Sequence, residues 1–238
     1  RRIGRSRSEA RYARSVYLNY EHASVTGAAT RAVPDALLGD GAALSAGYAW
    51  TGRHFDRLPL PTRGWGLGLD ASAGLTTVGT RRPFARLTAH WLGIVPLAGG
   101  ASRLALRAEG GAVIADRRAR LPGSHLFRTG GDITVRGYGW RRIGMPVGQG
   151  LVGPGRYLAL GSVEWQRPIL QDRYPGLLEH SLFIDVGSVA NRAHRLRPHW
   201  GVGTGLRLIT PVGPMQLDIA YGLKSKEIRL HMTVGLVF

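Results

Sequence analysis

The feature that most constrains this chain is a two-residue alternation of apolar with polar or small side chains. From Ile228 to Phe238 every second residue is apolar, and Arg229, His231, Thr233 and Gly235 occupy positions between them. The same alternation recurs in residues 64–75, 180–189 and 214–223. A period of two predicts β-strands with one apolar and one polar face.

About ten such segments can be counted, each about as long as a strand that crosses a bilayer at a tilt of about 45°. They lie at residues 15–26, 41–52, 64–75, 84–95, 103–115, 156–167, 180–189, 200–210, 214–223 and 228–238. Turns such as 211–214 and 223–226 predict hairpins on one side of the sheet, and one long connection covers about residues 116–155.

Strands of a soluble β-sandwich would alternate in the same way. The second face of these segments, however, holds glycine, hydroxyl or charged residues, which suit the crowded, hydrated lumen of a barrel. Only a closed sheet leaves no unpaired backbone in lipid. The pattern therefore predicts an all-β fold, an antiparallel transmembrane β-barrel.

Composition excludes several other classes. Charges or glycines interrupt every apolar run before it reaches the roughly 18 residues of a spanning helix. The absence of cysteine excludes disulfides and thiolate metal sites. The net charge of +17 would suggest nucleic-acid binding, but the arginines are scattered and do not accompany stacking aromatic residues. We interpret them, including those among residues 1–14, as loop, turn and lumen charges, some of which face anionic lipid headgroups.

The long connection carries the most specific motif, Gly-Gly-Asp-Ile-Thr-Val-Arg-Gly-Tyr, at residues 130–138. Further motifs follow in order at residues 161–169, 183–187 and 211–218, and the chain ends in Phe238. Together they resemble the outer-membrane protein insertase superfamily, also called the bacterial surface antigen family, over roughly residues 12–238. The first two motifs look most like those of the TamA family, the outer-membrane subunit of the translocation and assembly module.

This resemblance implies that residues 1–238 are the C-terminal part of a barrel of about sixteen strands, with a long loop inserted into the lumen. The first strands and the periplasmic POTRA domains of such proteins are then absent from this chain, which begins at Arg1 without a signal segment. A closed barrel of about ten strands is the alternative.

The resemblance also implies a function in the bacterial outer membrane. Proteins of this kind insert or secrete autotransporter-type β-barrel proteins through a lateral gate, without a cofactor and without enzymatic activity. The implied partners are a TamB-like subunit anchored in the inner membrane, unfolded outer-membrane proteins and the lipid bilayer. The alternatives are a general BamA-like insertase, a two-partner-secretion transporter and a passive outer-membrane pore; a soluble β-sandwich or enzyme is more distant.

The resemblance also implies site residues. By parity Glu164 and Asp185 face away from lipid, and in the superfamily a loop arginine pairs with acids at these positions. We therefore expect Arg136 to bridge Glu164 and Asp185, and we call these three residues the loop lock; otherwise Arg136 is one of many exposed arginines. The remaining expected residues are the loop motif of Gly130, Gly131, Asp132, Val135, Gly137 and Tyr138, and the C-terminal barrel signature Phe238.

Other chemistry receives little support. Two carboxylates could act as a glycosidase pair, but an arginine between Glu164 and Asp185 would hold both ionised. The histidines do not have the spacing of metal ligands. Gly201, Gly203 and Gly205 lack the spacing of a dinucleotide loop and lie on alternate positions of a predicted strand.

Overall fold

The computed structural model describes residues 1–25, 38–57, 61–97, 99, 102–148, 150–169, 177–210 and 213–235. Its strands are β1 (Arg2–Ser8), β2 (Tyr12–Ala23), β3 (Gly41–Phe55), β4 (Gly64–Thr76), β5 (Pro83–Leu97), β6 (Ser102–Ala115), β7 (Met145–Gly148), β8 (Leu151–Gly153), β9 (Tyr157–Ile169), β10 (Leu178–Ala190), β11 (His199–Thr210), β12 (Gly213–Gly222) and β13 (Glu227–Val234). A single turn of 3₁₀ helix, Ala193–Arg195, interrupts the connection between β10 and β11. Within the described ranges, no helix has the length and apolar character needed to cross a membrane.

Eleven strands form one antiparallel sheet in the order β1-β2-β3-β4-β5-β6-β9-β10-β11-β12-β13. Each strand of this sheet pairs with the sheet strands that come before and after it along the chain, so β6 pairs with β9. The strands β7 and β8 form a small separate hairpin inside the long connection between β6 and β9. The all-β antiparallel prediction is confirmed, and the ten predicted segments correspond to β2–β6 and β9–β13.

The interpretation of the N-terminal arginines as loop, turn and lumen charges was wrong in part. Residues Arg2–Ser8 form β1, which pairs with β2 along its whole length, from Arg2 opposite Asn19 to Ser8 opposite Ala13. Only Ile3 in this strand is apolar, so the alternation that reveals the other strands is absent. All residues of β1 are exposed, because it is the edge strand of the described sheet.

The expectation that the turns at 211–214 and 223–226 lie on one side was also wrong. Successive turns of an antiparallel sheet must alternate between its two ends. We call the end that holds the β1–β2, β3–β4, β5–β6, β9–β10 and β11–β12 connections the hairpin end, and the opposite end the loop end. The two longest connections, between β2 and β3 and between β6 and β9, join strand ends at the loop end, and the turn at 223–226 lies there as well.

The register divides the sheet into two faces. We call the face that carries the buried Asp185 the inward face and the opposite one the outward face. Paired residues project to the same face, so Ser162 and Gly201, the partners of Asp185, lie on the inward face as well. The outward face carries the exposed apolar residues, among them Leu69, Leu87, Val163, Ile184, Leu206, Ile219 and Leu230. The alternation seen in the sequence is therefore a real division between an apolar and a polar face.

The sheet curls around the long connection. Ser124 donates a hydrogen bond to Glu21 of β2, and Asp132 lies 2.5 Å from His231 of β13. Eight residues of chain reach at most about 28 Å, whereas β2 and β13 would be about 43 Å apart in a flat sheet. The inward face is therefore concave, and the connection lies on it.

Candidate functional site

The motif segment of the long connection folds tightly because three glycines adopt positive φ angles. Gly130, Gly131 and Gly137 have φ values of 101°, 116° and 88°, a region that side chains disfavour. Gly137 also lies against the β12 backbone, where a Cβ atom would come within 2.6 Å of the Gly222 nitrogen. This close approach positions the neighbouring Arg136 over the polar face of the sheet.

Arg136 makes its most extensive contact with Asp185 of β10. Its Nε donates to Oδ2 at 2.8 Å and its Nη2 donates to Oδ1 at 3.0 Å, and the backbone amide of Arg136 also donates to Oδ2 at 3.0 Å. Arg136 is 4% exposed and Asp185 is fully buried. A bidentate pair of this kind fixes both position and orientation.

Two further carboxylates contact the same guanidinium. Nη1 of Arg136 donates to Glu164 of β9 at 2.7 Å and to Asp218 of β12 at 3.0 Å. The structure thus brings together Arg136, Glu164 and Asp185, as expected, and shows Asp218 as a third carboxylate partner of Arg136. The sequence contained a signal for Asp218, because it belongs to the 211–218 motif and has inward parity between Gln216 and Ala220.

An aromatic ring completes the contacts of Arg136. The guanidinium carbon lies 3.3 Å from the ring centroid of Phe183, within the range of a cation–π interaction. Opposite Phe183 in register is Gly203, whose added Cβ would lie 2.4 Å from the ring. Glycine at this inward position of β11 therefore provides the space that the ring occupies.

The electrostatic environment keeps Arg136 charged. Burial disfavours the guanidinium cation, but the hydrogen bonds and charge of Asp185, together with the charges of Glu164 and Asp218, outweigh it and raise the pKa of Arg136 above its ordinary value. An uncompensated charge here would be costly, whereas a guanidinium between carboxylates is stabilised.

Neighbouring side chains orient the three acids. Ser162 donates to Asp185 at 2.6 Å, and Gln166 donates to Glu164 at 2.7 Å. Gln216 donates to Asp218 at 3.0 Å. Each carboxylate therefore has a second partner from the sheet, which leaves it oriented toward the guanidinium.

An arginine of the sheet also donates hydrogen bonds to the loop backbone. Arg107 of β6 donates from Nη1 to the carbonyl of Ile133 at 2.6 Å and from Nη2 to the carbonyl of Thr134 at 3.1 Å. These bonds hold the backbone just before Arg136. Arg107 could not be distinguished from the other inward arginines before its contacts were known.

His231 connects the motif to β13. Its Nε2 accepts a hydrogen bond from the Gly137 amide at 2.8 Å, and its Nδ1 lies 2.5 Å from Asp132 Oδ1. Since Nε2 accepts, Nδ1 carries the ring proton, and this N–H donates a hydrogen bond to Asp132 Oδ1. Two expected motif residues, Asp132 and Gly137, therefore meet a side chain of the last described strand.

The other expected motif residues pack the loop against the sheet. Val135, fully buried, and Tyr138 form an apolar cluster with Ile143 and Leu160. The Tyr138 hydroxyl donates to the Trp200 carbonyl at 3.1 Å and accepts from the Lys224 amide at 3.1 Å. Phe238, the expected C-terminal signature, lies outside the described residues.

The whole arrangement is suited to holding a segment in place. The charged groups around Arg136 are paired with one another and are oriented by further hydrogen bonds. The contacts join one loop to six strands, β6, β9, β10, β11, β12 and β13.

Comparison with known proteins gives a family and a fold. The model of the Omp85 superfamily domain matches residues 2–238. Outer envelope protein 80, chloroplastic, of Arabidopsis thaliana is 29% identical over 148 residues, which are 58% of this chain and 18% of that protein. The crystal structure of BamA from Haemophilus ducreyi lacking POTRA domains 1–3 superposes with a TM-score of 0.73 at 17% identity.

The matches differ in how much of each protein they cover. The superposition includes 97% of this chain and 52% of the BamA chain. This chain therefore spans about half the length of that structure and less than a fifth of the chloroplast protein. The predicted superfamily is confirmed.

Proposed function

The chain belongs to the Omp85 superfamily, and we propose that it is the membrane-embedded part of a TamA-like assembly factor. Superfamily members are β-barrel proteins of outer membranes or outer envelopes that function in protein insertion or transport, and this chain shares that location and barrel architecture. In our proposal it inserts or secretes autotransporter-type β-barrel proteins, without enzymatic activity and without a cofactor. The form of the motifs at residues 130–138 and 161–169 supports the TamA-like assignment.

We further propose that residues 1–238 are one partial domain, the C-terminal part of a barrel of about sixteen strands preceded by POTRA domains. Two observations support this. The described sheet has unpaired edges at β1 and β13, which a membrane protein must cover. The BamA structure that matches 97% of this chain is about twice as long.

The observation that carries the mechanism is the burial of Arg136 between carboxylates of β9, β10 and β12. In our proposal these contacts hold the long connection inside the barrel. The connection then supports the terminal strands, of which β13 forms half of a lateral gate. Strand exchange at that gate would template incoming β-strands, and folding and lipid burial of the substrate would drive the reaction.

The partners follow from the same proposal. They are a TamB-like subunit anchored in the inner membrane and unfolded outer-membrane proteins. The exposed apolar outward face fits the lipid bilayer as the third partner.

The test uses the full-length protein reconstituted in lipid vesicles. Urea-unfolded autotransporter barrel is added, and its folding is followed by protection from protease and by its gel mobility without heating. We expect faster folding than in empty vesicles or vesicles that hold a porin of similar size. Equal rates in all three would overturn the proposal.

A general BamA-like insertase is the second candidate, supported by the likeness to the BamA barrel. The same vesicles distinguish the two when a porin replaces the autotransporter as substrate. Acceleration of the autotransporter alone supports the TamA-like function, whereas equal acceleration of both supports the general insertase.

A further inference from the structure

Charged residues are distributed very unequally between the two faces of the sheet. On strands β3–β13 as described, the register places every charged side chain inward except Arg167. The outward faces of β1 and β2, in contrast, carry Arg5, Arg7 and Arg14. Charges on a lipid-facing surface are costly at the bilayer centre and are retained where they reach an interface.

These three arginines form one patch, which we call the outward arginine patch. Arg7 pairs in register with Arg14, and Arg5 pairs with Val16, so the side chains of Arg5, Arg7 and Arg14 project to the same face on adjacent strands. All three residues are exposed. Among the described residues the only acid that pairs with any of them is Glu9, 3.2 Å from Arg7 in an exposed contact.

A row of aromatic side chains borders the patch at the hairpin end. The ring of Tyr12 lies 6.1 Å from that of Trp50 and 5.6 Å from that of His54, and His54 lies 4.6 Å from Trp65. Arg14 lies opposite Trp50 in register. Outward aromatic rows mark the level of the lipid headgroups in membrane barrels, so the arginines lie within reach of that level.

The side of the membrane follows from the loop lengths. Membrane barrels have short turns on the periplasmic side and longer loops on the other. The longest connections join strand ends at the loop end, so the hairpin end faces the periplasm. Long arginine side chains near an interface extend their guanidinium groups toward headgroups and bind phosphate there.

We propose that Arg5, Arg7 and Arg14 form a binding site for an anionic glycerophospholipid in the periplasmic leaflet. The phosphate of the headgroup contacts the guanidinium groups, and the acyl chains lie along the apolar outward face of β2 and β3, against Val16 and Leu18. The proposal depends on the position of the arginines on the outward face of the sheet, near the level of the lipid headgroups. It is independent of which substrates the protein assembles.

Native mass spectrometry of the full-length protein in detergent tests this site. The protein is titrated with phosphatidylglycerol or with zwitterionic phosphatidylcholine, and the bound lipids are counted at each concentration. The test variant replaces Arg5, Arg7 and Arg14 by Gln. The matched control replaces the exposed Arg192, Arg195 and Arg197 of the β10–β11 connection by Gln, which removes the same charge.

We expect the test variant to lose about tenfold or more in affinity for phosphatidylglycerol, since each interfacial arginine contributes to anionic lipid binding. The control variant should stay within about twofold, and phosphatidylcholine binding should not change in either protein. Equal losses in the two variants would overturn the proposal, as would an unchanged affinity in the test variant. Preference of the site for lipopolysaccharide over phosphatidylglycerol would also contradict it. Gel mobility without heating verifies that each variant is folded.

Discussion

Arg136 and Asp185 are joined by three hydrogen bonds, two from the guanidinium and one from the backbone amide of the same residue. The backbone bond ties the course of the loop to the side chain that anchors it. A change at either residue therefore affects both the charge pairing and the position of the loop backbone.

Replacing Arg136 by Ala should release the loop. Three buried carboxylates would lose their cation, and removal of one partner of a buried ion pair costs about 3–5 kcal/mol. We expect proteolysis within residues 116–155 in the full-length protein, and slower assembly of substrates. Arg136→Lys should be intermediate, because an ammonium group keeps the charge but cannot form the bidentate pair.

The matched control is Arg142→Ala, since Arg142 is exposed in the same connection. It should leave protection from protease unchanged. If Arg136→Ala assembled substrates at the native rate and kept its loop protected, the loop lock would have no role in function.

Gly201→Ala should displace the loop without changing any charge. A Cβ at this inward position of β11 would lie 1.9 Å from the Arg136 carbonyl oxygen, which is too close for any ordinary contact. We expect increased hydrogen exchange at residues 130–138, measured by mass spectrometry. Gly110→Ala in β6 is the control, because its Cβ would meet nothing within 4 Å; similar exchange in both variants would contradict the close approach.

His231→Ala should loosen β13 from the loop. It removes the acceptor of the Gly137 amide and the partner of Asp132. We expect faster hydrogen exchange in residues 227–234 and at Gly137, with the Arg136 contacts retained. His180→Ala, on the outward face of β10, should affect neither segment, and unchanged exchange in His231→Ala would show that this residue does not couple the two.

The hydrogen bonds that Thr62 and Arg63 donate to Asp56 should be lost in acid. Hydrogen bonds from the Thr62 hydroxyl and from the Arg63 and Thr62 amides lower the pKa of Asp56 to about 2. A depressed pKa gives stabilisation that is present above about pH 4 and is lost as the pH falls through about 2. Protection factors of the Thr62 and Arg63 amides should fall in that range. In Asp56→Asn they should be low and independent of pH.

Much of the fold could be predicted because lipid and lumen impose opposite requirements on alternate residues. The predicted limits of strands with an apolar outward face are close to the observed ones. The segment predicted at residues 64–75 is β4 (Gly64–Thr76), and the one predicted at 214–223 is β12 (Gly213–Gly222). β1 was missed because its outward face carries Arg5 and Arg7 in place of apolar residues. The edge pairing with β2 that makes it a strand leaves no periodic signal in the sequence.

The site was only partly predictable for a related reason. Parity and family motif drew attention to Arg136, Glu164 and Asp185, which the structure brings into contact. Parity cannot tell which inward side chains meet across the concave face, because that depends on the curl of the sheet and the course of the loop. Asp218 and His231 were therefore not expected as partners of the motif.

The order of these residues along the chain has a consequence for biogenesis. Arg136 is synthesised and exported before Glu164, Asp185, Asp218 and His231, so until those residues arrive the motif segment has only earlier partners such as Arg107 of β6. The central cluster can therefore close only after β12 and β13 have been delivered. A protein truncated before Asp218 would lack both Asp218 and His231, and its motif segment would stay without these two acceptors.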